Sequence, residues 1–61
     1  MVREIKSKID TAKGEINIYT EKKDGRPEPR WFAVITLPGG ILFPMIERNE
    51  EISEEEVLRM I

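Results

Sequence analysis

Two apolar segments separated by a Pro-Gly-Gly turn constrain this chain more than anything else in it. Arg30 to Leu37 reads Arg-Trp-Phe-Ala-Val-Ile-Thr-Leu, and Ile41 to Ile46 reads Ile-Leu-Phe-Pro-Met-Ile. β-Branched and aromatic residues of this kind suit strands. Leu37-Pro38-Gly39-Gly40 fits a tight turn, with proline fixing φ at the second position and glycine free to take φ > 0 at the third. Folding there sets Thr36 opposite Ile41, Val34 opposite Phe43 and Phe32 opposite Met45 on one face. The other face pairs Ile35 with Leu42 and Trp31 with Ile46. Pro44 cannot donate to a ladder, so the second strand is expected at a sheet edge. Both faces of the hairpin are apolar.

The C-terminus predicts a helix. Ser53 followed by Glu54, Glu55 and Glu56 forms a capping box, in which Glu56 can reach back to the cap's own N–H. The three carboxylates complement the positive end of the helix dipole. Val57, Leu58 and Ile61 make a short apolar stripe, and Glu55 with Arg59 is a favourable pair. A helix of roughly eight residues cannot persist unpacked, so it must lie on the sheet.

Upstream, Glu15 to Lys22 alternates as a strand, with Ile16, Ile18 and Thr20 on one side and Asn17, Tyr19 and Glu21 on the other. The loop from Lys23 to Pro29 leaves its register with the next strand open. Residues 2–13 admit two readings. Val2, Ile5, Ile9 and Ala12 follow helical spacing, and Gly14 could end a helix. As a strand turning at Ala12 to Glu15, the segment sets Thr11 opposite Ile16, Ile9 opposite Ile18, Ser7 opposite Thr20 and Lys6 opposite Glu21. Apolar and charged pairs agree in that one register, which favours the strand.

The expected fold is therefore a small α+β domain spanning residues 1–61, a four-stranded antiparallel meander with one short C-terminal helix. The sheet is either open or curled into an SH3-like half-barrel. The alternative is an N-terminal helix, a three-stranded antiparallel sheet and the C-terminal helix. Glu21-Lys22-Lys23-Asp24-Gly25, Leu37-Pro38-Gly39 and Ser53-Glu54-Glu55-Glu56, in that order, resemble HicB-like antitoxin domains over residues 15–61. The segment between Gly40 and Ser53 is longer than in that pattern, and no function is carried over from it.

Composition removes several chemistries. The chain of 61 residues has no cysteine and no histidine. Disulfides, the usual zinc, haem and iron–sulfur ligand sets, and histidine- or thiolate-based catalysis are excluded. No apolar run approaches the ~20 residues of a membrane span, so a cytoplasmic protein is expected. Charged residues are 36% of the chain and glutamine is absent, a balance associated with thermophile proteins.

The acidic run Glu47, Glu50, Glu51, Glu54, Glu55 and Glu56 lacks the spacing of a calcium loop and reads as a solvated face. No pair of carboxylates is singled out as acid and base. No catalytic residue, metal site or cofactor is therefore expected, and the protein is not expected to be an enzyme. The surplus apolar surface leads to the main functional expectation. With the helix laid over Ile9, Ile18, Val34 and Phe43, the residues Trp31, Ala33, Ile35, Leu42 and Ile46 form an open face. Through it the chain would bind a second copy of itself or another protein. The alternative reading is a single-stranded nucleic-acid or regulatory DNA binder. It would use Tyr19 and Trp31 as stacking rings, with Lys22, Lys23, Arg26 and Arg30 on phosphates.

Overall fold

A computed structural model describes residues 2–26 and 28–61. The N-terminal segment is a strand, β1 (Val2–Thr11), which pairs with β2 (Gly14–Lys22) as a long antiparallel hairpin. The chain reverses more tightly than the sequence predicts. Thr11 is the partner of Gly14, Ile9 of Ile16 and Ser7 of Ile18, in place of the expected Ile16, Ile18 and Thr20. The Thr11 hydroxyl closes the turn, accepting from the Lys13 amide (3.1 Å) and donating to the Gly14 carbonyl (2.8 Å). Gly14 completes the reversal at φ +142, where a side chain would be strained. The two-residue shift keeps Ser7, Ile9 and Thr11 on the predicted face.

A bulge between Ile5 and Ser7 then changes the phase of β1, so that Glu21 pairs with Arg3 (2.9 Å) instead of Lys6. Lys6 bonds Glu4 along its own strand (2.8 Å).

β3 (Arg30–Leu37) pairs with β2, bringing Ile18 opposite Ala33 and Ile16 opposite Ile35. At the next turn the Gly40 amide donates to the Leu37 carbonyl (3.1 Å), with Gly39 at φ +88. Gly40, at φ +81, adds a third residue to the loop. That extra residue slides the register by one: Leu37 faces Ile41 and Thr36 faces Leu42, in place of Thr36 with Ile41. The single strand expected over Ile41 to Ile46 is interrupted around Pro44. It becomes β4 (Ile41–Leu42) and β5 (Ile46–Arg48), both at the edge beside β3. In β5, Ile46 faces Ala33, Glu47 faces Phe32 and Arg48 faces Trp31.

The result is an open antiparallel sheet, not a closed half-barrel, crossed by α1 (Glu54–Met60). Ser53 caps the helix, its hydroxyl accepting from the Glu56 amide (3.2 Å). The Glu56 carboxylate does not complete the predicted box. It holds Arg48 of β5 in a two-pronged pair, and Arg48 also donates to the Glu51 carbonyl (2.7 Å). At one end of the helix, Ser7 donates to Glu54 (2.6 Å); at the other, the Lys13 ammonium donates to the Ile61 carbonyl (3.2 Å).

Beneath the helix lies one core of Ile16, Ile18, Ala33, Ile35, Ile52 and Val57. Trp31, Leu37, Phe43, Ile46 and Ile61 pack against it. Of the predicted helical stripe, Val57 is fully buried while Leu58 is exposed.

Candidate interaction surface

Side chains alternate across a strand, so directly opposed partners share a face. The register therefore assigns two faces. Ile16, Ile18, Ala33 and Ile35 turn toward the helix; Tyr19, Phe32, Val34 and Leu42 turn away from it. Among the described residues no second layer packs on this face, although Phe32 at its centre is itself buried, at 9% exposure, and Tyr19 and Val34 are half-buried. Its centre is the cross-strand pair Tyr19 and Phe32, whose rings stack with centroids 5.1 Å apart and planes 11° from parallel. Offset stacking of this kind adds to simple area burial and gives the face a stiff centre. The Arg3 guanidinium sits 4.7 Å over the Tyr19 ring. The Tyr19 hydroxyl approaches the Met45 thioether at 3.9 Å. Around this centre Ile5, Leu42 and Met45 are 61%, 70% and 52% exposed.

Charges frame the apolar strip in pairs. Arg3 bonds Glu21 at 2.9 Å, Arg30 bonds Glu47 at 2.6 Å, and Lys8 approaches Glu15 at 4.0 Å. Exposed pairs contribute little to stability. They do, however, neutralise the cations that a phosphate backbone would need. An apolar centre within a polar rim is the arrangement of a protein–protein contact.

The predicted open face is corrected by this geometry. Trp31, Ala33, Ile35 and Ile46 lie on the helix side, with Ala33 and Ile35 fully buried; Leu42 alone of the five is on the open face. The helix covers Ile18 as expected, whereas Val34 faces away from it, because Ile18 pairs with Ala33 and Val34 pairs with Asn17. The residues missed were Ile5, Phe32, Val34 and Met45. The doubled glycine at 39 and 40 could have signalled the three-residue loop that moves Leu42 to this face, but Phe32 and Val34 are placed by the β2–β3 register and Ile5 by the bulge in β1, for which the sequence carries no local signal.

The nucleic-acid candidates are divided as well. Tyr19 pairs with Phe32, whereas Trp31 pairs with Thr20, which puts the two rings on opposite sides of the sheet. Lys22, Lys23 and Arg26 are exposed, and Arg30 is held by Glu47 and Asn49. Beside the β2–β3 loop, Lys23, Arg26 and Arg30 share a cleft of about 280 Å³ with Glu21 and Glu28, above Phe32. Its lining is of mixed charge.

The free edge is guarded. β1 carries Arg3, Glu4, Lys6, Lys8 and Asp10 and is kinked by its bulge, all features that discourage strand addition. Two carboxylates have pKa values displaced downward, which makes them stronger acids. Hydrogen bonding to Lys6 lowers Glu4, and hydrogen bonding to Arg48 lowers Glu56, with burial opposing each. Among the described residues no cluster of acidic side chains could hold a metal ion, and no helix is long and apolar enough to cross a membrane. No family model, curated protein or solved structure matches the chain, so the resemblance to HicB-like domains gains no support.

Proposed function

We propose that this chain is a non-catalytic interaction module that binds protein through the open face of its sheet. One observation carries the reading: Ile5, Leu42 and Met45, each more than half exposed, surround the half-buried Tyr19 ring and its buried stacking partner Phe32 inside a rim of ion pairs. Large aromatic and methionine side chains at the centre of a patch are those that contribute most to protein association.

The reading is tested by placing a photoreactive phenylalanine analogue at Leu42 or, as control, at the exposed helix residue Leu58, and irradiating cells that express the protein. Adducts of discrete mass are expected from position 42, and not from position 58. They should be lost when Ile5 is changed to Lys. Equal labelling from both positions, or none from position 42, would refute it.

A further inference from the structure

Met45 and Tyr19 meet in a way that bears on how the open face responds to oxidation. Met45 precedes Ile46, which faces Ala33 on the helix side, so its own side chain alternates to the open side. It is 52% exposed, and its thioether lies 3.9 Å from the Tyr19 hydroxyl. That hydroxyl is held in place, because its ring is stacked on Phe32 and lies beneath the Arg3 guanidinium. Among the described residues the Met45 sulfur is its one hydrogen-bond partner. A thioether accepts weakly, so a good donor is aimed at a poor acceptor. Met60 supplies the contrast: it is 45% exposed on α1, and among the described residues no hydroxyl reaches its sulfur.

We propose that Met45 is a redox-sensitive position of this face, oxidised by peroxide to a sulfoxide that the Tyr19 hydroxyl then holds. The sulfur lone pair attacks one oxygen of hydrogen peroxide, and the O–O bond breaks. The second oxygen leaves as water with both protons, so the sulfur loses two electrons and the peroxide gains them. A strongly polar oxygen now stands where a lone pair was. Set on the side of Tyr19, it falls between the two groups, at about the 2.7 Å of an O–H···O bond. The weak contact becomes a full hydrogen bond.

The same oxygen brings a strong dipole among Ile5 and Leu42, whose apolar surface a bound protein has to cover. Oxidation therefore weakens binding at this face. That effect rests on the interaction reading, whereas the capture of the sulfoxide by Tyr19 does not.

The test uses the purified chain carrying Met60→Leu, treated with hydrogen peroxide and mapped by peptide mass spectrometry. A second chain also carries Tyr19→Phe, which keeps the ring stack and loses the donor. Urea unfolding gives a midpoint for each chain before and after oxidation. Oxidation should lower the midpoint of the Tyr19→Phe chain by about 0.5–1 M more than that of its parent, the contribution of one hydrogen bond. Should that variant not fold, the near-UV difference spectrum of oxidised against reduced parent reads the single tyrosine directly. Its band should move to longer wavelength, and a Met45→Leu chain should show no such shift. Midpoints that move equally, or an unchanged tyrosine band, overturn the proposal. Cross-linking from position 42, repeated in cells exposed to peroxide, reads the effect on binding. Adducts should be lost from the parent and kept by Met45→Leu. Adducts kept by both overturn the regulation and leave the interaction reading standing. With no adduct even in untreated cells the interaction reading fails, and the midpoints still decide whether Tyr19 holds the sulfoxide.

Discussion

Replacing Gly14 by Ala tests the hairpin geometry on which both face assignments depend. Gly14 sits at φ +142, and a Cβ there would lie 2.6 Å from the Thr36 carbonyl oxygen and 3.3 Å from the Leu37 Cα. The obstruction is backbone, so it cannot rotate away. Strain at such a φ costs about 1–3 kcal/mol, and forcing the end of β3 aside costs about 1–3 kcal/mol more. The sum, about 2–6 kcal/mol, compares with a total stability of about 3–9 kcal/mol for a domain of this size. Gly39→Ala is the control: φ there is +88, but nothing lies within 4 Å of the added carbon. It should lose about 1–2 kcal/mol of strain alone. Urea unfolding at 25 °C, followed by Trp31 emission and far-UV circular dichroism at low protein concentration, separates the two. With an m-value of about 1 kcal/mol/M, the Gly14 variant should unfold at least about 2 M earlier than wild type. Losses within about 0.5 kcal/mol of each other would show that β3 does not crowd Gly14, and the reasoning would fail.

Three further outcomes follow from the same contacts. Ser53→Ala removes the acceptor of the Glu56 amide and should cost about 1 kcal/mol in urea unfolding, most of it recovered by Ser53→Asp. Arg48 holds the Glu56 carboxyl below its usual 4.5, so the unfolded chain takes up that proton first. The pair's contribution is therefore complete above pH 4.5 and is lost as the pH falls below it through the folded-state value; acid titration by circular dichroism should show this loss, and Glu56→Gln should remove it. Because Trp31 is half-buried on the helix side, adding a thymidine oligonucleotide at low salt should leave its emission unchanged. Quenching that salt reverses would instead return the 19–31 region to nucleic-acid binding.

The chain's own pattern already determines its elements. Period-two alternation over Glu15 to Lys22, the paired apolar runs around Pro38-Gly39-Gly40, and the Ser53 cap each act over a few residues. The strands Gly14–Lys22 and Arg30–Leu37 and the helix Glu54–Met60 form where local chemistry places them, whereas the second apolar run splits at Pro44 into two short strands. The N-terminal strand is legible although its apolar positions also fit a helix, but the register that favoured it, with Thr11 opposite Ile16 and Lys6 opposite Glu21, is not the one that forms. What covers which face is not legible. β3 is apolar on both sides, with Trp31, Ala33 and Ile35 on one and Phe32 and Val34 on the other, so hydrophobicity cannot choose between them.

The choice is made by register, which a single residue reverses. Gly40 adds that residue in one hairpin, the Lys6 bulge adds one in the other, and the long β2–β3 loop leaves the third pairing to tertiary contacts. Packing Ala33 into the same buried cluster as Ile52 and Val57, which come from the far end of the chain, is a long-range decision. It buries Ile35 and leaves Phe32 stacked on Tyr19 at the opposite surface. Local chemistry thus determines the strands and the helix, and three-dimensional packing decides which side of the sheet is left for a partner.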